Sequence, residues 1–284
     1  MMGTPRFRRH FFLPALLLLC AFPLRGQTAW TAETDWEKAE LRITVEASVP
    51  RSGANLPAAD LAAEARVARE LPGIFVEAAG PILVDSRHSI RDLAQREPAL
   101  GTELLQSAEL GARDLPGYSR DLRRIILRFT YPLRKTLAPL FIRHKETRRT
   151  PVTPGWRPTK EFTGLVIYAK GKLPVHGERR EDRLRPCLFP EIFDSRMEPV
   201  FLTPMGKPDY LTNWGSAAYT SSFDEGPWRD RIGKEPFRVI ATGLFGIHPA
   251  NPVIPREDAE RFLASPSAGR ILSEGRILII CDLD

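Results

Sequence analysis

Hydrophobic and polar positions first alternate over residues 41–49, where Leu41, Ile43, Val45, Ala47 and Val49 are separated by Arg42, Thr44, Glu46 and Ser48. A period of two predicts a strand with one buried face. The pattern returns over 121–131, with Ile125, Leu127, Phe129 and Tyr131 on one side and Arg124, Ile126, Arg128 and Thr130 on the other. Between these strands the period lengthens. Residues 58–71 predict a helix that opens after Pro57, packs by Leu61, Ala65, Ala68 and Leu71, and breaks at Pro72-Gly73, with a short further turn at 74–79. Ile82-Leu83-Val84 predicts a short strand, and Ser89 with Asp92 has capping-box spacing. Residues 97–110 predict a second helix, with Leu100, Leu104, Leu105 and Ala108 inward. Residues 27–39 carry no comparable pattern and read as a short leader into the first strand.

The second half opens on a buried strand at 162–169. Segments 191–194 and 199–201 flank Ser195-Arg196-Met197-Glu198 as a hairpin, and 236–242 is another strand. Pro255 starts a helix that turns Ala259, Phe262 and Leu263 inward, and Ile271-Leu272 lies on a short turn. Residues 276–282 are almost wholly apolar, which predicts a central strand covered on both faces. Between the halves, 143–160 is polar, basic and rich in proline. The expected fold class is α+β: two small mixed α/β lobes with antiparallel or mixed sheets, at 27–142 and 161–284, joined by the linker 143–160.

The first 26 residues stand apart. Arg6, Arg8 and Arg9 precede an apolar run from Phe11 to Phe22, and Pro23 and Gly26 close it. A charged start, a short greasy core and a small residue at the exit make a secretory signal, too short for a span of about 20 residues. Removing it changes the charge. The whole chain carries +6, but four arginines leave with the signal and the rest is near +2, which gives no general argument for nucleic acid. Leu19 before Cys20 argues against lipidation there. Cys187 and Cys281 remain, either as a disulfide that export would permit or as two buried thiols.

The remaining charge is uneven. Residues 142–185 hold twelve Arg and Lys against five acids. Arg143, Lys145, Arg148, Arg149, Arg179, Arg180 and Arg183 are therefore candidates to contact an anionic lipid or wall polymer, with a solvated linker as the alternative. Asp85, Ser86 and His88 lie close together but lack the Gly-x-Ser-x-Gly turn of a hydrolase nucleophile, so a strand end and helix cap explain them better. His88, His144, His176 and His248 sit apart in predicted loops, without metal-ligand spacing. Gly243 and Gly246 follow a strand but lead into Ile247-His248-Pro249 rather than a helix, unlike a phosphate cradle. Trp156, Trp214 and Trp228 lie in loops, as partner anchors or packed on strands. No catalytic residue, metal or cofactor is assigned.

Several segments carry a resemblance. Residues 162–171, Phe-Thr-Gly-Leu-Val-Ile-Tyr-Ala-Lys-Gly, resemble the "YTGLVIDARG" strand of exported bacterial envelope proteins. Residues 186–194, Pro199-Val200-Phe201, 254–259 and 275–280 resemble further motifs of that group, as does Val84-Asp85-Ser86. The group includes small outer-membrane lipoproteins and flagellar assembly proteins of types P and T. The resemblance implies an α+β envelope protein without catalytic residues, some members acting as scaffolds around the motor. Tyr168 replaces the group's aspartate and Pro255 its helix-opening serine, so no ligand role of that aspartate carries over. The expectation is a non-catalytic exported protein of the periplasm or outer membrane, working in assembly with an envelope protein partner. The alternatives are a periplasmic hydrolase using Asp85 or His248, and an anionic-polymer module using 142–185.

Overall fold

The computed structural model describes residues 28–49, 56–151 and 161–283. The predicted signal with Cys20, and Trp156, Arg157 and Lys160 of the predicted linker, lie outside the described residues.

The first lobe runs β1 (Ala29–Asp35), β2 (Glu40–Ser48), α1 (Leu56–Ala79), α2 (Ile90–Arg96), α3 (Pro98–Ser107), β3 (Ala112–Arg113), β4 (Gly117–Tyr118), β5 (Arg124–Pro132) and α4 (Leu133–Thr136). Its antiparallel sheet is ordered β1-β2-β5, with β3 and β4 both paired to the far side of β5. Leu41, Ile43, Val45 and Ala47 of β2 and Ile125, Leu127, Phe129 and Tyr131 of β5 are buried, as alternation predicts. They meet Val67, Phe75 and Leu104 of α1 and α3. Phe75 lies 4.5 Å from Tyr131, whose hydroxyl donates to the Ala108 carbonyl at 3.1 Å.

Five expectations for this lobe are corrected. Residues 29–35 are not a leader but an edge strand, because pairing with β2 satisfies their backbone without demanding an apolar face. Helix α1 continues through Pro72-Gly73. A mid-helix proline costs about 3 kcal/mol, but continuing buries Ile74, Phe75, Ala78 and Ala79, and full burial of Ile or Phe returns about 1.5–3 kcal/mol each. The inner face is rotated from the expected one: Ala63 and Val67 are buried, while Leu61 is 67% exposed. Leu105 is likewise 45% exposed. Ile82-Leu83-Val84 makes a turn closed by one bridge, Leu83 to Ser89, rather than a strand.

The second lobe runs β6 (Leu165–Tyr168), β7 (Leu173–Pro174), β8 (Glu181–Asp182), β9 (Ile192–Asp194), β10 (Pro199–Phe201), α5 (Pro208–Asn213), β11 (Ala218–Thr220), α6 (Arg229–Ile232), β12 (Phe237–Ile240), β13 (Gly243–Phe245), β14 (Asn251–Ile254), α7 (Arg256–Leu263), α8 (Ala268–Ser273) and β15 (Ile277–Ile280). The expected two-lobed α+β organisation is present. One sheet, β11-β15-β6-β12, is wholly parallel. Its central strand β15 is the apolar run at the end of the sequence, and Ile277, Leu278, Ile279 and Ile280 are all buried. Ile277 and Ile279 face the core shared with α7 and α8; Leu278 and Ile280 face Ile232 of α6. The other large sheet is mixed, ordered β10-β9-β14-β13. Its β9–β10 hairpin is the predicted one. Asp194 Oδ1 accepts from the Arg196 and Glu198 amides, both at 2.8 Å, and stabilises a turn in which Met197 has φ of 64°.

The lobes are joined through the turn at 83–89. The Leu188 and Phe189 amides donate to the Leu83 and Val84 carbonyls, and His248 N–H donates to Ser86 O, each at 2.9 Å. Leu188 and Phe189 pack into the first-lobe core. Gly246, at φ of 116°, lies against this turn so closely that a Cβ would stand 2.4 Å from Ser86 Cβ.

Two contrasts test this packing by chemical denaturation. Phe75→Ala is expected to cost about 3–5 kcal/mol, whereas Leu61→Ala should stay within about 0.5 kcal/mol; equal losses would mean that α1 is rotated. Gly246→Ala is expected to destabilise by about 1–3 kcal/mol, and an unchanged midpoint would remove the close approach at Ser86.

Candidate functional site: a cleft between the lobes

The carboxyl ends of β11 and β15 open into a cleft of about 1040 Å³. Such ends are where ligands settle in parallel sheets, since the loops leaving the strands diverge there. The walls come from both lobes: Glu33–Glu37 at the end of β1 and the turn after it, the 81–92 segment, and 182–186 from the end of β8, with Ser221, His248, Asp282 and Leu283 completing the lining.

Each wall is fixed locally. Asp35 accepts from Lys38 N at 2.9 Å and from Arg42 at 2.9 Å, and Arg42 also reaches Glu40 at 3.0 Å. Trp36 packs against the cores of both lobes and stands edge-on to Tyr219 at 5.7 Å. The Thr220 hydroxyl donates to Glu37 across the joint. On the second wall the predicted capping box forms: Ser89 Oγ accepts from Asp92 N at 3.2 Å, and Asp92 Oδ2 accepts from Ser89 N at 2.8 Å and from its hydroxyl at 2.7 Å. The Ser89 amide, then its hydroxyl, hold the Asp92 carboxyl below its ordinary value, helped by His248 and Arg96. On the third wall, burial pushes Asp182 up, but the Arg183 amide and the Arg180 and Arg185 guanidinia outweigh it and leave the carboxyl lowered. Asp282 accepts from Gly171 N at 2.9 Å and lies 3.7 Å from Arg183 Nε and 4.0 Å from Lys170 Nζ.

The lining thus carries six carboxylates (Glu33, Asp35, Glu37, Asp92, Asp182, Asp282) against Arg91, Arg183, Arg185 and His248. Its titratable contacts are carboxylate–guanidinium pairs and a helix cap.

A second hollow of about 760 Å³ lies at the carboxyl ends of β6 and β12. Tyr168 and Pro255, the two departures from the resembling group, both line it. The Tyr168 hydroxyl donates to Glu225 at 2.7 Å, and Arg238 grips the same carboxylate at 2.6 and 2.8 Å. The side chain that replaces the group's aspartate is therefore tied to a local ion pair.

The residues singled out in the sequence are dispersed. Arg143 pairs with Glu97 of the first lobe, His144 Nε2 is 2.8 Å from Gly206 O, and Arg148 N donates to Pro204 O. Arg180 pairs with Glu178 and with Asp182, Arg183 with Asp282. Gly206 adjoins Lys207, whose amide binds Ser273 O ahead of β15, whereas Asp282 follows that strand. The two parts of the basic stretch thus lie at opposite ends of the parallel sheet and do not form one patch; Lys145, Arg149 and Arg179 are exposed. Ser86 Oγ accepts from Asn251 at 2.9 Å, and His88 contacts Asp85 and Arg96, so these three side chains form no hydroxyl–imidazole line. Gly243 lies in β13, and Gly246 serves the joint rather than a phosphate. His176 stands edge-on to Phe245. Trp228 packs beside Ile232. The disulfide left open for Cys187 and Cys281 is not formed: both are free and buried, Cys187 Sγ at 4.0 Å from the Tyr219 hydroxyl. Burial pushes the Cys281 thiol up to about 12 and the Cys187 thiol higher. Sequence reasoning missed Trp36 and the acidic 33–37 segment, because a polar edge strand shows no periodic signal.

The lowered Asp92 carboxyl gives a pH test. Its stabilisation is whole above the ordinary 3.8 and is lost as the pH falls through the lowered value. Ser89→Ala is expected to cost about 1 kcal/mol near neutrality, with the gap from the unmodified protein closing below about pH 4. Urea titrations on both sides of that pH check it; a gap that persists in acid removes the Asp92 contribution.

Two family models match this chain. Residues 27–140 match the one described as Treponema pallidum Tp0624, N-terminal domain, and residues 164–283 the one described as Treponema pallidum Tp0624, second domain. Neither description names a lipoprotein, a flagellar protein or an activity. No curated protein matches the chain. The chain is thus a two-lobed α+β protein similar, lobe after lobe, to the N-terminal and second domains of the bacterial Tp0624 family.

Proposed function

We propose that this is a non-catalytic component of the bacterial cell envelope, exported by its leader, whose inter-lobe cleft holds a basic segment of a partner protein during assembly. The observation that carries the reading is the cleft lining, drawn from both lobes and richer in carboxylates than in guanidinia. A cleft lined by more carboxylates than guanidinia attracts positive charge and disfavours anionic competitors. Ion pairs and caps already hold much of that lining, which supports binding over proton transfer. The periplasm or outer membrane as location rests on the leader pattern at 1–26. Placement beside the flagellum or among small lipoproteins rests on the resemblance to flagellar assembly proteins of types P and T and their relatives alone. The separation of the basic stretch makes the anionic-polymer alternative the weaker reading.

In-cell photo-crosslinking tests this. A photoreactive residue at Trp36 or Arg185 is expected to capture a discrete partner from the envelope fraction, and one at Leu61 is not. Glu33→Lys should lower the Arg185 yield about tenfold, the factor that about 1.4 kcal/mol provides. Capture that is equal from Leu61, or unaltered by Glu33→Lys, would dispose of the cleft as the site. A cytosolic pool still bearing Met1 would dispose of export.

A further inference from the structure

Away from the cleft, toward the amino ends of β11 and β15, three arginines, from α4, α6 and the stretch ahead of β15, converge on the Trp214-Gly215-Ser216 turn. Arg231 of α6 is 5% exposed. It donates from NH1 to Trp214 O at 2.6 Å and from NH2 to Gly215 O at 2.8 Å. Its Nε has no hydrogen-bond partner among the described residues, nor does the buried Ser216 hydroxyl. Arg276, ahead of β15, lies over the Trp214 ring at 5.7 Å, as Arg231 does, and its NH1 donates to Arg231 O at 3.3 Å. Arg134 reaches in from the first lobe: its Nε would stand 3.3 Å from a Cβ on Gly215, a position with φ of 76° that favours glycine.

The charges do not balance locally. Glu274 binds Arg276 Nε at 2.7 Å, and no salt bridge joins Arg134 or Arg231 to a carboxylate among the described residues. Burial, then the neighbouring Arg134 and Arg276, drive the Arg231 guanidinium well below its ordinary value; burial also lowers Arg134. Proteins seldom bury a cation unpaired, because the lost hydration must be offset. Three guanidinia against one carboxylate leave two positive charges. Planar N–H forks match a tetrahedral oxyanion, and a dianion supplies the balancing charge.

We propose that Arg134, Arg231 and Arg276 bind a phosphate group at this inter-lobe turn, with Arg134 and the partly exposed Arg276 forming its mouth. Because Arg134 belongs to the first lobe and the turn to the second, the bound group ties the two together. The inference stands apart from the cleft and does not rest on the assembly role. A phosphate group could come from a free small molecule or from a lipid headgroup, and the two sources separate experimentally.

The test follows thermal unfolding of the purified protein at constant ionic strength, titrated with inorganic phosphate and separately with vesicles containing phosphatidic acid. A saturable rise in Tm with inorganic phosphate is expected for the unmodified protein and for Arg143→Gln, whose cation pairs elsewhere. Arg134→Gln and Arg276→Gln should each weaken the apparent affinity at least tenfold. A response to vesicles only, lost in the same two variants, identifies the group as a lipid headgroup. Isothermal calorimetry with inorganic phosphate or the same vesicles gives the second readout, should one variant fold poorly. No saturable response to either, or equal responses in Arg134→Gln and the unmodified protein, overturns the proposal.

Discussion

The architecture depends on three backbone carbonyls in one turn. Leu83, Val84 and Ser86 lie in a segment with no sheet of its own, and their oxygens are met by the Leu188, Phe189 and His248 amides of the other lobe. Each such hydrogen bond contributes about 0.5–1.5 kcal/mol net of hydration, and separating the lobes would forfeit these bonds together with the burial of Leu188 and Phe189. The turn is short and rigid because Asp85 accepts its Arg87 and His88 amides and Ser89 caps the helix that follows. The 81–92 wall of the cleft is therefore held by the joint itself.

Charge is distributed around this joint in two opposed ways. On the carboxyl side of the parallel sheet, carboxylates outnumber guanidinia and are satisfied by amides, hydroxyls and arginines. Toward its amino side, guanidinia cluster on carbonyls and on the Trp214 ring. Both regions draw residues from both lobes: Trp36 and Glu37 meet Tyr219 and Thr220 on one side, and Arg134 meets Gly215 on the other. The relative position of the lobes thus has an electrostatic component at each end of the sheet.

Sequence pattern was informative wherever burial is one-sided or total. The alternation of β2 and β5 named their core residues, the apolar run at 276–282 named a central strand, and Ser89 with Asp92 named a cap. It failed where tertiary contact outweighs local preference. Pro72-Gly73 reads as a helix end, yet Phe75 reaches Tyr131 only if the helix continues. The Leu61 face reads as apolar, yet the sheet takes the Ala63 and Val67 face, where small side chains allow closer approach. The cleft was hardly legible, since its walls come from segments as far apart as Glu33 and Asp282. Gly246 was noticed as a glycine near a strand end, but its purpose, contact with Ser86, lies 160 residues away in the chain.

The two buried thiols make the molecule its own chemical recorder. Cys187 adjoins the residues that dock into the first lobe, and Cys281 caps the central parallel strand. Burial raises both thiols and keeps a maleimide out while their surroundings stay closed, because reactivity belongs to the exposed thiolate. Alkylation at Cys187 therefore times the parting of the lobes, and alkylation at Cys281 times the melting of the parallel sheet. Whether these openings are one event or two can be read from a single labelling time course, with no cysteine introduced.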